Sequence, residues 1–89
     1  MPDAQPSLEP EDRQRLAKQT EAVWTLMQDN QWRTLSEIRQ ALVMRLGVVA
    51  SEASISARLR ELRGLHHQVD RKKVARGLFA YRVHERFDR

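Results

Sequence analysis

The sequence predicts a mainly α-helical domain that ends in a small β-hairpin. Three successive segments carry apolar residues at helical spacing, and the segment after them alternates apolar with polar residues, as a strand does. The chain has 89 residues and no cysteine, which indicates a single domain without disulfides or thiolate metal sites. A domain of this size buries only about 60–65% of the surface of its unfolded chain, so its core is thin.

Helix 1 is predicted from about Pro10 to about Asp29. Proline suits the first turn of a helix, where a missing N–H costs nothing, and the acidic residues after it favour that end of the helix dipole. Asp29 and Asn30 end the helix with turn chemistry, and residues 1–8 precede it as a disordered lead. The residues at helical spacing are Leu16, Thr20, Val23, Trp24 and Met27.

Helix 2 is predicted from about Leu35 to Arg45, after a connector at 32–34 that could form a small strand. Thr34 and Glu37 match a capping box, in which the threonine caps the helix and the glutamate reaches back. Gly47 suits the C-terminal stop. The residues expected on the buried face are Leu35, Ile38, Ala41 and Leu42.

Helix 3 is predicted to follow a cap at Ser51, with Ser54 as a competing choice, and to close at Gly64. Its narrow buried seam consists of Ile55, Leu59 and Leu62.

The hairpin is predicted as two strands, Gln68–Lys73 and Leu78–Val83, joined by a tip at 74–77 in which the glycine can adopt a positive φ. Val69 should face inward, and residues 84–89 remain as a charged tail. Alternation places Phe79, Tyr81 and Val83 on one face of the second strand, and Ala80 and Arg82 on the other.

Charge is distributed unevenly along the chain. The net charge is +4, yet residues 1–12 contain four acidic residues and no basic one. Residues 58–82 contain eight basic residues against two acidic ones. An excess of this size is typical of a surface that binds a polyanion, although a solvated basic face without a partner would show the same composition.

Three helices followed by a basic hairpin are the plan of the winged helix-turn-helix family, and the chain resembles that family from about Val23 to Val83. Residues 32–38 resemble the start of its second helix, residues 54–63 resemble a recognition helix, and residues 69–83 resemble a wing. The chain is most similar to short winged-helix proteins of bacterial and phage genomes, many of them regulators. The resemblance implies a three-helix winged helix-turn-helix domain over residues 9–83 that binds double-stranded DNA.

The spacing departs from the tight helix-turn-helix in one respect. Ile38 and Ile55 lie 17 residues apart, farther than the matching apolar anchors of the tight motif. Helix 2 or the turn after it is therefore expected to be longer.

The outer face of helix 3 suits the major groove. With about 100° between successive residues, three residues point away from the buried seam and two serines flank them: Ala53, Ala57 and Arg60, with Ser54 and Ser56. Small side chains let a helix enter the groove, which is about 12 Å wide, and an arginine such as Arg60 can form two hydrogen bonds with guanine. Glu61 would repel phosphates unless Arg58 or a cytosine amine engages it. An ordinary solvated helix would show the same face.

Basic residues flank the hairpin tip with no acidic residue between them. Such residues can contact DNA phosphates or a narrow minor groove, and they could instead protect an exposed strand edge from pairing. Together with helix 3 they make the predicted DNA-binding set: Ser51, Ala53, Ser54, Ser56, Ala57, Arg58, Arg60, Arg71, Lys72, Lys73 and Arg76.

Other functions find little support in the sequence. No nucleophile–base pair and no glycine-rich phosphate loop can be identified, so an enzyme, a cofactor and a small-molecule ligand are not expected. His66 and His67 would point to opposite faces of a strand, so they cannot easily share a metal ion. No apolar run approaches the ~18 residues of a membrane span, and the acidic N-terminus is unlike a secretory signal, so a cytosolic protein is expected.

The main alternative function is a protein-interaction module built on the same fold. A homodimer is also expected, because a single winged helix buries only ~600–1,000 Å² on DNA. A second copy would cover apolar residues that lie beside the buried faces of two helices, namely Leu26 on helix 1 and Val43 and Leu46 on helix 2. A monomer in which these residues complete the core is the other possibility.

Overall fold

The computed structural model describes residues 10–65 and 67–85, which form three helices and a three-stranded antiparallel sheet. A turn of π-helix, Leu42–Leu46, continues the second helix. The strand order is β1-β3-β2, so β3 is the central strand. In chain order the elements are α1 (Pro10–Met27), β1 (Arg33–Thr34), α2 (Leu35–Ala41), α3 (Glu52–Gly64), β2 (His67–Ala75) and β3 (Leu78–Glu85).

Helix α1 starts where the sequence predicts but ends at Met27, two residues early. Asp29 and Asn30 still provide the turn, since Asn30 has a left-handed φ of 60° and the Asp29 carboxylate accepts a hydrogen bond from the Gln31 N–H at 3.1 Å. The Arg33 guanidinium donates two more bonds to this carboxylate, at 2.9 and 2.8 Å. These bonds hold the pKa of Asp29 below its ordinary value and fix the path from α1 into β1.

The capping box of α2 is present as predicted. The Glu37 N–H donates to the Thr34 hydroxyl at 3.2 Å, and the Thr34 N–H donates to the Glu37 carboxylate at 2.8 Å. The regular α-helix is shorter than expected because its last turn widens into π-helix, which stops at Gly47 with a φ of 65°. The wide turn and the loop after it account for the long spacing between the core residues of α2 and α3.

Ser51 caps α3, because its hydroxyl accepts a hydrogen bond from the Ser54 N–H at 3.0 Å. Gln19 ties this end of α3 to α1. Its side-chain oxygen accepts from the Ser54 hydroxyl at 2.8 Å, and its amide group donates to the Val49 carbonyl at 3.3 Å. Gly64 is the last helical residue of α3, as expected.

Both strands of the hairpin are longer than predicted, and the loop between them is only Arg76-Gly77. Gly77 has a positive φ of 69°, as expected. The pairing of the strands is irregular between Lys73 and Ala75, near this loop. Residues 84 and 85, predicted to start a charged tail, belong to β3. The predicted lead at 1–8 and the rest of the predicted tail lie outside the described residues.

β1 confirms the small strand that the sequence allowed at 32–34, and it adds a third strand to the predicted hairpin. β1 pairs with the central strand through Arg33–Tyr81 and Thr34–Ala80. Ala80, on the face of β3 opposite to Val83, is also buried. Its small side chain lies in the central strand between Thr34 of β1 and Lys72 of β2, where neighbours on both sides cover it.

The core consists of the inward faces of the helices and one face of the sheet. Leu26 is buried as well and belongs to this core, because a position three residues after Val23 stays on the same helical face. The dimer prediction treated Leu26 as a surface residue of α1, and its burial shows that this was wrong. The side chains with least exposure confirm the predicted inward faces, and they are Val23, Met27, Ile38, Leu42, Ile55, Leu62 and Val83.

Replacing Leu59 with alanine should lower the free energy of unfolding by about 2–5 kcal/mol, since the change leaves a cavity in a thin core. The side chain of Leu59 is only 3% exposed, whereas that of Leu65, just after the same helix, is 57% exposed. Leu65→Ala is therefore the matched control, with an expected loss of under about 1 kcal/mol. Urea denaturation measures both losses, and equal losses would show that the seam of α3 is assigned to the wrong face.

Candidate nucleic-acid interface

Helix α3 presents small side chains to solvent along one side. Ser51 and Ala53 are exposed at its N-terminal end, Ala57 is half-buried one turn later, and Arg60 is exposed beyond it. The hydroxyl of Ser51 is used as the helix cap. Since no long side chain of this group precedes Arg60, the first two turns of the helix can approach another surface closely.

A cleft of about 350 Å³ lies between α3 and the hairpin. The side chains that line it are Ser56, Leu59, Arg60, Arg63, Val69, Arg71 and Tyr81. Ser56, Arg60 and Arg71 belong to the predicted set, and the structure brings them together from two elements. Arg63 and Tyr81 were not predicted. A signal for Arg63 exists in the sequence, because it follows Arg60 by three residues and shares its side of the helix.

The three arginines of this cleft make their contacts with uncharged groups. Arg60 donates to the Ser56 hydroxyl at 3.4 Å, and Arg63 donates to a backbone carbonyl of β2 at 3.3 Å. The Arg71 guanidinium lies 4.6 Å from the centre of the Phe79 ring. Among the described residues no carboxylate lines the cleft, so the three positive charges are uncompensated there.

Two residues of α3 in the predicted set do not belong to this surface. Arg58 is buried, with its Nε 3.6 Å from the Glu61 carboxylate. A position three residues after Ile55 stays within about 60° of the buried seam, which is why Arg58 turns inward. Ser54 is half-buried and donates its hydroxyl proton to Gln19 of α1. Ser54 therefore ties α3 to α1, whereas the pairing of Arg58 with Glu61 lies within α3.

Glu61 does not weaken the positive charge of the cleft. Its carboxylate accepts a hydrogen bond from the Thr20 hydroxyl of α1 and pairs with Arg58. The sequence allowed for the pairing with Arg58, and together the two contacts direct Glu61 toward α1.

The opposite face of the hairpin carries other cations. The charged groups of Lys72 and Arg82 lie over the Trp32 ring, 4.5 and 4.7 Å from its centre. Lys72 points away from the side of Arg71, because neighbouring residues of a strand face opposite ways. Trp32, which lies outside the predicted helices, thus holds two cations beside β1.

The four predicted hairpin cations do not share one face. Arg71 lines the cleft, and Lys72 lies over the tryptophan on the other side. Lys73 and Arg76 are exposed near the two-residue loop. The hairpin therefore presents positive charge on both faces and at its tip.

Asp70 fastens the outer face of the hairpin. Its carboxylate accepts hydrogen bonds from Gln68 and Arg82, each at 3.0 Å, and lies 3.0 Å from the His84 ring nitrogen. The bond from Gln68, followed by that from Arg82, lowers the pKa of Asp70 to about 2. This network holds Arg82 over the Trp32 ring.

Because the pKa of Asp70 falls from 3.8 to about 2, its ionised carboxylate stabilises the folded chain above about pH 4, and this contribution disappears as the pH falls toward 2. Asp70→Asn should therefore lower the free energy of unfolding by about 1–2 kcal/mol at pH 7 and by much less at pH 2. The loss at pH 7 is kept to this size because the side chain is partly exposed and solvent screens its charge. Denaturant unfolding across this pH range measures the effect. Glu21→Gln is the control, at an exposed acid, and a parallel pH dependence of the two variants would contradict the assignment.

Large apolar side chains are exposed on the connection between α2 and α3. Val43 and Leu46 are exposed, as expected from their position beside the stripe of helix 2. Met44 and Val49, at 78% and 79% exposure, are more accessible still. We call these four residues the turn patch.

Two searches of the described residues, 10–65 and 67–85, concern metals and membranes. No group of three or more His, Cys, Asp or Glu side chains could hold a metal ion, and no helix in this part of the chain is long and apolar enough to cross a bilayer. Comparison with protein-family models, with curated proteins and with solved structures found no match to the chain.

Proposed function

We propose that this protein is a small transcriptional regulator that binds double-stranded DNA in a sequence-specific manner. The observation that carries the proposal is a strip of small side chains on α3 beside a cleft that three arginines line and that no carboxylate of the described residues enters. Under this proposal the fold is a winged helix-turn-helix of the small bacterial or phage type. The protein is then a cytoplasmic binding protein that carries out no catalysis and needs no cofactor.

Helix α3 is the element proposed to enter the major groove. The groove is about 12 Å wide and admits a helix only where its side chains are small or can bond to base edges. Ala53 and Ala57 meet the first condition, and Ser56 can donate a hydrogen bond to a base or a phosphate. The bond from Ser54 to Gln19 fixes the N-terminal end of α3, so this surface is presented rigidly.

The hairpin is proposed to act as the wing. Lys73 and Arg76 near its loop are exposed and suit DNA phosphates or a narrow minor groove. Because cations lie on both of its faces, the hairpin can attract phosphates from either side. The pairing of β1 with β3 braces the hairpin against the helices.

A protein-interaction module with the same fold is the second candidate function. The turn patch is the observation that favours it, since large apolar groups exposed on a surface can mark a contact site for another protein. In that case the basic residues would form an ordinary solvated surface, and duplex DNA would bind weakly or not at all.

We propose further that two copies of the chain pair through the turn patch. Leu26 is buried, so α1 does not supply the apolar surface expected from the sequence. Val43 and Leu46 remain exposed and are joined by Met44 and Val49. A two-fold dimer would double the DNA contact of a single domain and favour a pseudo-palindromic site.

Duplex DNA should bind at about 50 mM salt, and the slope of log K against log salt should be about −4 to −5 if four to six phosphates are neutralised. Fluorescence anisotropy at several salt concentrations measures this slope. Arg76→Gln should make the slope shallower by about 1 and weaken binding to all duplexes alike. Arg13→Gln, at an exposed arginine of α1, is the matched control and should leave the slope unchanged. A flat salt response of the unmodified chain would favour the protein-interaction module.

Light scattering at micromolar concentration should give about twice the chain mass of 10.5 kDa if the dimer forms. Met44→Lys places a charge in the turn patch and should shift the mass toward that of a single chain. Leu65→Lys is the control, because it places the same charge on an exposed leucine outside the patch. A mass near 10.5 kDa for the unmodified chain would contradict the dimer.

A further inference from the structure

Three arginines line one cleft, and no carboxylate of residues 10–65 and 67–85 lines it with them. Arg60 and Arg63 reach the cleft from α3, and Arg71 reaches it from β2. Their partners within the described chain are a hydroxyl, a backbone carbonyl and an aromatic ring. These contacts orient the groups and leave their charge in place, so an anion in the cleft would be attracted by all three.

The surroundings of the arginines suit a phosphate group. Each guanidinium can donate two parallel hydrogen bonds, a geometry that matches phosphate oxygens. Ser56 and Tyr81 line the same cleft and add hydroxyl groups. Leu59 and Val69 form an apolar floor beside these polar groups.

We propose that this cleft is a phosphate-binding site that takes one phosphodiester group of the DNA backbone. The proposal rests on the proposed function and assigns the position where the duplex crosses between α3 and the hairpin. Arg60, Arg63 and Arg71 supply the positive charge, and the half-buried Ser56 donates a further hydrogen bond. The volume of about 350 Å³ accommodates the phosphate together with part of a neighbouring sugar.

The site changes the role of Arg60. The sequence suggests that Arg60 forms two hydrogen bonds with guanine, but its guanidinium donates to Ser56 and lines the cleft beside Arg63. Arg60 therefore binds the backbone, and it contributes affinity that is the same for every DNA sequence. Base selection is left to the smaller residues of α3, Ala53 and Ala57 among them.

The test uses the full chain with two duplexes, one obtained by selection from random DNA and one of random sequence. Arg60→Gln and Arg63→Gln should each weaken binding to both duplexes about tenfold, as expected for a lost charged hydrogen bond. Each variant should also make the salt slope shallower by about 1. The preference for the selected duplex should stay unchanged. Urea denaturation confirms that the variants are folded, and Arg71→Lys, which keeps the charge, should retain the salt slope.

Arg13→Gln is the matched control, because it removes the same charge from α1, outside the cleft. Loss of preference for the selected duplex in Arg60→Gln would overturn the proposal, since Arg60 would then read a base. Salt slopes of the cleft variants equal to that of Arg13→Gln would also overturn it while leaving DNA binding intact. If the unmodified chain binds no duplex at low salt, the proposed function itself fails.

The phosphate group in the cleft could belong to the DNA backbone or to free inorganic phosphate, and a titration with inorganic phosphate distinguishes the two. NMR spectra of the arginine side chains should shift on addition of duplex at micromolar concentration, and inorganic phosphate should produce the same shifts only at far higher concentration. Tight binding of inorganic phosphate in the absence of DNA would overturn the assignment to a phosphodiester and identify a site for a free phosphate.

Discussion

Glu61 and Asp70, the two carboxylates within the basic stretch 58–82, are both bonded on sides of the molecule that face away from the cleft. Glu61 is engaged by Thr20 and Arg58 near α1, and Asp70 is held on the outer face of the hairpin. Because both carboxylates point away, the positive charge of the arginines in the cleft is not neutralised by an acidic residue of the described chain. If either carboxylate reached the cleft, it would neutralise an arginine there, and the attraction for a phosphate would fall.

Helix α3 serves the core and the cleft at the same time. Its seam of Ile55 and Leu62 is buried, and Leu59 contributes to the core and to the lining of the cleft. The positions of Arg60 and Arg63 on α3 therefore depend on how the helix packs. Under the proposed function, a change in the seam would alter DNA binding through the tilt of α3, whereas a change in an arginine would lower the affinity and the salt dependence and leave the stability of the fold unchanged. The two kinds of variant are distinguished by whether the free energy of unfolding changes with the affinity.

Local chemistry in the sequence predicted much of this structure. The capping box at Thr34, the cap at Ser51 and the helix stop at Gly47 depend on a few neighbouring residues, and all three are present. The pairing of β1 with β3 was not predictable in the same way, since a two-residue strand has no period of its own and is defined only by its partner. The burial of Arg58 was missed because its charge suggested exposure, although its place on the helix put it near the seam. Likewise, the cleft lies between α3 and the strands β2 and β3, so only the assembled fold shows that Arg63 and Arg71 line it together.

The turn patch follows from the same wide turn that lengthens the connection between α2 and α3. In a regular α-helix Leu46, four residues after Leu42, would share its buried face. The π-helical turn takes more residues to complete one revolution, so Leu42 stays in the core while Leu46 rotates outward. Leu46 is 40% exposed, so only part of the roughly 1.5–3 kcal/mol available from burying a leucine completely is given up. π-helical turns occur frequently at functional sites, and under the proposed dimer the turn patch of a second copy would cover Leu46.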